Sequence, residues 1–568
     1  MAFQLSPGVN VSEIDLTTIV PSVPTSIGAF AGPFAWGPIG VITTISDEVR
    51  LADTFGKPDS TVYEYWFSAA NFLAYSNNLK VVRAASIAST LNAVANTTAA
   101  AAVLIKNDDD WLANYSGGSV ARGEFAARYA GALGNSIKVS MADANTYSTW
   151  TYATQFQTTP NTSTFVANQG GANDEIHIIV VDEDGKFTGT QGTVLEKFGY
   201  VSKASDAKDD SGNTNYYKNV LANKSRYIHW LSHPTGNTTA TYANASSNWG
   251  TAASGVAFTK LAANVTLSLA SGADGTVSTA NVVTAYDLFD PAESVDINLV
   301  VSGPADATVA TSLISMAETR KDCLVFLSPT KANCVDNAGD EVTDIKTYRD
   351  TLTSTSYAVL DANWKYQYDK YNDVYRWVPL NGDIAGLCAR TDLERDPWFS
   401  PGGLNRGIIK NSIKLAWNPT KTNRDDLYVK GINPIVTFQG EGTVLFGDKT
   451  LLSKPSAFDR INVRRLFIVL EKAIARAARF SLFEFNDQFT RASFVNLVEP
   501  YLRDVQGRRG IYDFRVVCDE SNNTPEVIDR NEFVGDIYIK PARSINFIQL
   551  NFVAVRTGVS FDEVVGKF

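Results

Sequence analysis

The stretch that decides the fold is Val295-Asp296-Ile297-Asn298-Leu299-Val300-Val301, followed by residues 305–320 and then by Cys323-Leu324-Val325-Phe326-Leu327-Ser328-Pro329. Its two apolar runs have the length of strands, and the segment between them has the length and spacing of a helix. Strand, helix and strand in this order are typical of an α/β domain. Residues 357–360 and 382–390 continue the pattern beyond Pro329.

A second α/β stretch lies near the start of the chain. Residues 37–42 form an apolar run, residues 63–75 have helical spacing, and Leu79-Lys80-Val81-Val82-Arg83 is typical of a strand. A long region of different character separates the two stretches. The sequence therefore predicts one α/β core in two parts, residues 21–86 and residues 290–400.

The region between the two parts is rich in Thr, Ala, Ser, Asn and Gly. From residue 235 to residue 285 the only charged residues are Lys260 and Asp274. This composition favours short strands joined by polar turns, and exposed loop tips tolerate insertions of this kind. We predict that residues 87–289 form one or two inserted, β-rich, protruding domains.

The last third of the chain predicts an α+β domain over residues 401–556. Helical spacing covers residues 458–485 and residues 486–505, and strand patterns cover residues 511–517, 534–540 and 545–556. In the first helix Val463, Phe467, Leu470, Ile474 and Ala477 share one face.

The same helix places four basic residues on its opposite face: Arg465, Lys472, Arg476 and Arg479. A basic face of this kind is usually solvated. The alternative is a salt-sensitive contact with an acidic surface on another molecule, and we keep these four residues as a candidate charged interface.

Both ends of the chain carry short β-prone runs outside any predicted compact unit. The first is Ser6-Pro7-Gly8-Val9-Asn10-Val11-Ser12-Glu13-Ile14-Asp15, and the second is Gly558-Val559-Ser560-Phe561-Asp562-Glu563-Val564-Val565. Runs this short do not fold alone, so their backbone groups need another sheet. We predict an N-terminal arm (residues 1–20) and a C-terminal arm (residues 557–568) that exchange strands between copies. The residues expected to make these contacts are Pro7, Gly8, Val9, Val11, Ile14, Val559, Phe561 and Val564.

Composition excludes several classes of protein. The chain has 568 residues and a net charge of −10, so it is long enough for roughly three or four domains and too acidic to coat nucleic acid. It contains no run of the ~18 apolar residues that a membrane-spanning helix needs, and its start lacks the pattern of a signal peptide. We expect no nucleic-acid partner and no membrane span.

The residues that usually carry metal or catalytic chemistry are few and scattered. Four cysteines and three histidines form no CxxC or zinc spacing, and His229 and His233 lack the neighbouring Glu of a metalloprotease helix. The acidic run Asp182-Glu183-Asp184-Gly185 lacks the ligand spacing of a calcium loop and predicts a hairpin turn. We expect no catalytic residue, no metal, no cofactor and no enzymatic activity.

Several segments, taken in order along almost the whole chain, resemble one family. They are residues 6–15, Gly32-Pro33-Phe34-Ala35-Trp36-Gly37-Pro38, residues 127–137, and Asp396-Pro397-Trp398-Phe399-Ser400-Pro401-Gly402-Gly403 with Arg406-Gly407. The chain is similar in these segments to the tail sheath proteins of contractile bacteriophages and of related injection machines. Residues 181–190 and 215–218 resemble the larger sheaths of T-even-like phages.

The resemblance implies a structural subunit that stacks in six-fold rings into a helical sleeve around a rigid tube. It also implies contraction that drives the tube through a host envelope for genome ejection, with the tail tube protein, the baseplate and the tail terminator as partners. The subunit would be assembled in the host cytoplasm and belong to the virion. The arms would add strands to the C-terminal domains of neighbours, at Ile537, Ile539, Ile548, Leu550 and Phe552.

Two other classes stay open at this point. A tail-fibre or adhesin-like binding protein would explain the Thr/Asn-rich region, but the α/β parts and the helix over residues 458–485 disfavour it. An enzyme would need a pocket with perturbed carboxyl groups, for which the motifs give little support.

Overall fold

The computed structural model describes residues 23–95, 103–118, 122–234, 248–546 and residue 549. The chain divides into two compact units. The core unit contains the described residues of Pro21–Pro397 and of Pro401–Arg476. The C-terminal unit contains Trp398–Ser400 and the described residues of Ala477–Phe568.

The helices are α1 (Glu48–Phe55), α2 (Tyr63–Leu73), α3 (Asp108–Asn114), α4 (Thr164–Asn168), α5 (Tyr217–Lys224), α6 (Thr279–Tyr286), α7 (Ala307–Arg320), α8 (Lys331–Cys334), α9 (Glu341–Asp350), α10 (Asn381–Glu394), α11 (Lys421–Val429), α12 (Ile461–Ala478), α13 (Gln488–Gly507) and α14 (Pro525–Asp529). The strands are β1 (Gly28–Pro33), β2 (Thr43–Ile45), β3 (Leu79–Ala84), β4 (Phe125–Ala127), β5 (Ile137–Asp143), β6 (Glu175–Asp182), β7 (Thr193–Ser202), β8 (Ile228–Trp230), β9 (Val265–Ser268), β10 (Leu299–Val301), β11 (Leu324–Leu327), β12 (Ala358–Asp361), β13 (Trp364–Asp369), β14 (Val374–Pro379), β15 (Lys414–Leu415), β16 (Ile432–Asn433), β17 (Ile435–Phe438), β18 (Gly442–Leu445), β19 (Ile511–Val517) and β20 (Asp536–Pro541).

A seven-stranded sheet forms the centre of the core unit, in the order β16-β12-β11-β10-β1-β3-β2. All neighbours are parallel except β2, which runs antiparallel to β3. Its strands come from both predicted parts of the core, because β1 pairs with β3 on one side and with β10 on the other. The mixed α/β architecture with several sheets agrees with the prediction.

Both faces of this sheet are covered, which explains why its strands are apolar without alternation. Val325 and Leu327 of β11 pack into one buried cluster, to which Leu313 of α7 also belongs. Leu324 and Phe326 point to the opposite cluster, which contains side chains of α2 and α10.

Local signals fix the helix that follows β10. The Asp306 side chain accepts hydrogen bonds from the backbone N–H groups of Thr308 and Val309 and caps the start of α7. Lys321 adopts a left-handed conformation, with φ of 62°, and ends it. The predicted helix over residues 305–320 therefore agrees closely with α7.

The core extends past the boundary predicted at residue 400. β16 pairs with β12 at Leu360↔Ile432, so it forms the edge of the same sheet, and residues 401–476 belong to the core unit. Two residues of β-structure after a long connection give no strand pattern in the sequence. At the other end, α6 packs Val282 and Tyr286 into the core cluster, ahead of the boundary predicted at residue 289.

The region predicted as inserted has its own core and its own sheets. A four-stranded antiparallel sheet has the order β7-β6-β5-β9, and β4 pairs with β8. Met141, Ile178, Tyr217 and Trp230 lie in one buried cluster between these elements. The region also contains the helices α3, α4 and α5.

The C-terminal unit is built around α13 and the antiparallel pair β19 and β20. β19 has the predicted bounds, residues 511–517. The segment predicted as a strand over residues 545–556 lies largely outside the described residues, as do both predicted arms. In the described part of the chain, no helix has the length and apolar character needed to cross a membrane.

Candidate interaction surfaces

The sheet of the C-terminal unit is the first candidate surface. β19 and β20 pair from Val517↔Asp536 to Ile511↔Pro541, with one irregularity between Ile511 and Asp513. Among the described residues this sheet has two strands, and a sheet of that size is marginal on its own. Each of its strands has an outer edge that the described residues do not pair, and such an edge is a template for a further strand.

The unit holds this sheet in place on one side. Phe494, Val498 and Leu502 are buried on α13, and α13 packs against β19. The Asn523 side chain donates to the carbonyl oxygen of Val534 at 2.8 Å and accepts from its N–H at 2.9 Å, which fixes the approach to β20. The two strands are therefore positioned before any partner binds.

Two predicted acceptor residues lie in this sheet. Ile537 and Ile539 share one face of β20 and are half-buried, whereas Tyr538 between them is exposed. The other acceptors (Ile548, Leu550, Phe552) and the arm residues (Pro7, Gly8, Val9, Val11, Ile14, Val559, Phe561, Val564) lie outside the described residues.

The predicted basic face of α12 is not uniform. The Arg465 side chain is 4% exposed, and its Nη2 lies 2.6 Å from Oδ2 of Asp392, which is equally buried. The prediction of Arg465 on an exposed face is therefore wrong. Its acidic partner comes from α10, far away in the sequence, so helical spacing could not identify it.

The exposure of the other three basic side chains increases from Lys472 to Arg476 to Arg479. Lys472 is mostly buried and pairs with Asp296, and its Nζ lies 3.7 Å from Asp322. Arg476 is partly exposed and lies 3.5 Å from the same Asp296. Arg479 is exposed and lies just after α12, in the C-terminal unit. Arg476 and Arg479 therefore stay candidates for a charged contact.

An exposed apolar segment follows α12, and the sequence prediction missed it. Spacing predicted helix up to residue 485, but α12 ends at Ala478 and a 3₁₀ turn covers Arg479–Ser481. The exposed apolar side chains of this segment are Phe480, Leu482, Phe483, Phe485 and Phe489. We call residues 480–489, which end in the first turn of α13, the aromatic loop. The available signal was the density of Phe in this segment.

The histidines occupy packing positions. His229 lies in β8 and stacks on Trp111 at 5.2 Å between ring centroids, and burial, with the nearby Arg128, lowers its pKa to about 3. Burial, with the nearby Lys218, lowers the pKa of His233 to about 4. Both are therefore neutral at physiological pH.

The acidic run after β6 forms a turn that the chain itself satisfies. Asp182 accepts hydrogen bonds from the Ser136 hydroxyl, from the N–H groups of Phe187 and Thr188, and from the Thr188 hydroxyl. Gly185 adopts φ of 76° in this turn. Across the described ranges, no group of three or more His, Cys, Asp or Glu side chains is arranged to hold a metal ion.

A split parallel core, an inserted β-rich region and a small C-terminal unit whose described residues form a two-stranded sheet define the class: multidomain mixed α/β proteins. Family comparisons identify the class more closely. Residues 275–451 match the phage tail sheath protein central domain, and residues 453–554 match the phage tail sheath C-terminal domain.

Relatives match over the full length. The chain is 34% identical to the tail sheath protein of Enterobacteria phage T4, with 99% of each chain covered. It is 35% identical to the tail sheath protein of Vibrio phage KVP40, covering 99% of this chain and all of that one. The chain belongs to the family of phage tail sheath proteins and is a structural protein of the virion tail.

Solved structures share the fold. The sheath tail protein of Desulfitobacterium hafniense aligns with a TM-score of 0.53 at 12% identity, over 90% of this chain and 94% of that one. The helical sheath of the anti-feeding prophage in its contracted state aligns with a TM-score of 0.51 at 14% identity, over 96% and 98%. Family membership over the whole length favours a structural tail sheath protein over the tail-fibre alternative.

Proposed function

We propose that this chain polymerises as six-fold rings, stacked into a helical sheath around a tail tube, and that contraction of the sheath drives the tube through the host envelope for genome ejection. The observation that carries the proposal is the match to phage tail sheath proteins over 99% of both chains. The match runs along both chains almost from end to end, which supports the same kind of assembly for this chain.

The arms are the proposed tether between subunits. Val9, Val11 and Ile14 of one copy, and Val559, Phe561 and Val564 of another, add strands at the open sheet of a neighbour's C-terminal unit. Strand addition suits a contracting assembly because backbone hydrogen bonds give most of the affinity while alternate side chains fill pockets. The positioned two-stranded sheet, with Ile537 and Ile539 on one face, supports this role.

The remaining partners follow from the same proposal. The sheath would bind the tail tube protein along its length, the baseplate at one end and the tail terminator at the other, and it would assemble in the host cytoplasm. Arg476 of α12 is partly exposed and Arg479, just after this helix, is exposed, and each would contact an acidic surface of the tube or of the next ring. Such a contact is weakened by salt.

Electron microscopy of the purified chain tests the proposal. We expect striated cylinders from the intact chain and folded monomers after deletion of residues 1–15. Globular particles from the intact chain under every polymerising condition would refute the sheath assembly.

A matched pair of variants tests the tether itself. Val9→Asp with Val11→Asp places charge on the side chains predicted to fill pockets, whereas Asn10→Asp changes the residue between them. We expect the first to abolish cylinders and the second to leave them unchanged. Equal behaviour of the two would argue against strand addition by this arm.

A further inference from the structure

Among the described residues of the C-terminal unit, the aromatic loop carries several highly exposed apolar side chains. Phe480 is 78% exposed, Phe483 105%, Phe485 84% and Phe489 81%. Large apolar patches on a soluble protein usually mark an interaction site. Four phenylalanines at this exposure offer roughly 600 Å², taking about 150 Å² for each ring. That approaches the ~800 Å² that one partner contributes to a standard interface.

The backbone of the loop carries strain at its centre. Phe483 adopts φ of 69°, a left-handed conformation that is unfavourable for a residue with a Cβ. Strained residues of this kind persist where the surroundings fix them and are concentrated at functional positions.

A second aromatic surface lies on the core unit. Tyr366, Tyr368, Tyr375 and Trp377 share one face of the β13–β14 hairpin, where Tyr366 is opposite Trp377 and Tyr368 is opposite Tyr375. Their rings form a continuous set, with centroid distances of 4.7 Å between Tyr366 and Trp377 and 5.3 Å between Tyr368 and Tyr375. We call these four residues the aromatic face. Tyr368 and Tyr375 are 45% and 54% exposed.

Charged side chains lie beside both surfaces. Glu484 is exposed between Phe483 and Phe485 of the loop. Lys414 of β15 is exposed and lies 5.0 Å above the ring of Tyr366 and 5.5 Å above that of Trp377. At the other end of the face, the Tyr368 hydroxyl donates a hydrogen bond to the exposed Asp373 at 2.7 Å. The loop is therefore apolar with an acid at its centre, and the base of the face, Lys414, lies at the end with Tyr366 and Trp377.

From these observations we infer that the aromatic loop of one copy docks on the aromatic face of a neighbouring copy, with Glu484 next to Lys414. The inference rests on the proposed function, because a contact between two different surfaces of one chain is heterologous and generates rings or helical filaments rather than closed dimers. Aromatic rings on both sides supply the packing, and the charge pair fixes the orientation.

Two double variants of the full-length chain test this contact. The loop variant is Phe483→Asp with Phe485→Asp, and the face variant is Tyr368→Asp with Tyr375→Asp. Each keeps one intact surface. Since the changed side chains are exposed, both variants should fold, which circular dichroism checks. Val429→Asp alters an apolar side chain that is 83% exposed elsewhere on the core unit and serves as the control.

Analytical ultracentrifugation gives the decisive result. We expect each variant alone to associate more weakly than the unaltered chain, and their mixture to associate more strongly than either variant, because only the mixture pairs an intact loop with an intact face. Association through the altered surface should weaken by about thirtyfold or more, as for a buried aromatic anchor. The Val429→Asp chain should associate like the unaltered chain.

Charge exchange provides a second readout. Glu484→Lys and Lys414→Glu should each weaken association by roughly threefold, as expected for an exposed ion pair. The chain that carries both changes should associate as strongly as the unaltered chain. Glu293→Lys, at an exposed position, is the matched charge control and should have no effect.

Three results would overturn the inference: a mixture that associates no more strongly than either variant, a face variant that associates like the unaltered chain, or loop variants that assemble normally but fail to bind the tube protein. The last result would assign the loop to the tube. Failure of the proposed function gives a different result, the absence of cylinders from the unaltered chain, and the stronger association of the mixture does not depend on cylinders.

Discussion

The central sheet of the core unit and the sheet of the C-terminal unit differ in almost every respect. The first has seven strands, six of them parallel, and side chains of β10, β11 and β12 buried on both faces. The second has two antiparallel strands among the described residues, with Tyr512 and Tyr538 exposed. The strands of the first sheet are paired and covered by their own chain. In the second sheet, the described residues leave strand edges and side chains uncovered.

The difference separates two tasks of a sheath subunit. A parallel sheet covered on both faces is rigid and has few groups left for partners. At an open strand edge next to exposed aromatic side chains, binding of a partner lowers the free energy. We therefore expect changes in the core sheet to alter stability and changes in the C-terminal sheet to alter assembly.

The largest expected effect is on the core sheet. Phe326 is fully buried on β11, and its truncation to Ala should lower the free energy of unfolding by about 3–5 kcal/mol. Chemical denaturation followed by tryptophan fluorescence measures the change. Tyr538→Ala, at an exposed position of β20, is the control and should change it by less than ~0.5 kcal/mol. Similar losses in the two variants would remove the distinction between the sheets.

The next effect concerns the buried ion pair of Arg465 and Asp392. Arg465→Met leaves the Asp392 carboxylate buried without its partner, so we expect a loss of about 3 kcal/mol. Combining it with Asp392→Leu should recover part of this loss, since no charge then remains buried. Arg479→Met, on the exposed end of the same basic face, is the matched control, and a comparable loss there would contradict the placement of the two residues.

A smaller effect is the pH dependence of the core sheet. Asp361, at the end of β12, is 1% exposed and accepts a hydrogen bond from the Ser328 hydroxyl at 2.6 Å. Burial raises its pKa to about 8. Between about pH 4 and pH 8 the unfolded chain releases a proton that the folded chain keeps, so stability falls as pH rises, by at most about 1.4 kcal/mol per unit.

Asp361→Asn removes this proton, and the variant should lose the slope in that window when unfolding is measured from pH 4 to pH 8. Asp519→Asn is the control, because the Ser521 hydroxyl lowers the pKa of this exposed carboxyl and it titrates below the window. An unchanged slope in Asp361→Asn would mean that Asp361 is ionised in the folded chain.

The strands and helices of the core could be predicted from the sequence because the patterns that indicate them are local. An unbroken apolar run such as Leu324–Leu327 predicts a buried strand by itself, and Asp306 marks the start of α7. The edge strand β16 of the core sheet could not be predicted, because it consists of only Ile432 and Asn433, and two residues show no periodicity. The boundary at residue 400 was placed too early for this reason.

Some features of the interaction surfaces could likewise be predicted from the sequence, and others could not. The alternation of Ile537 and Ile539 was visible in the sequence, and the structure places both on one face of β20. The burial of Arg465 was not visible, because Asp392 is remote in sequence. The aromatic loop was missed because helical spacing continues formally to Phe485, while the chain leaves the helix after Ala478. Residue spacing predicts one helix or strand at a time, whereas these contacts join residues of several helices and strands.

The smallest expected effect is at an ion pair on the open sheet. Lys540 of β20 lies 3.0 Å from Asp513 of β19, directly across the strand pair, and both side chains are mostly exposed. Water already solvates both groups, so the pair gains little over the unpaired charges. We expect Lys540→Met to leave the midpoint of chemical denaturation unchanged at both low and high salt. The pair has the same chemistry as Arg465 and Asp392 and differs in burial, so a loss comparable to that of Arg465→Met would show that the C-terminal sheet is stabilised from within rather than by its neighbours.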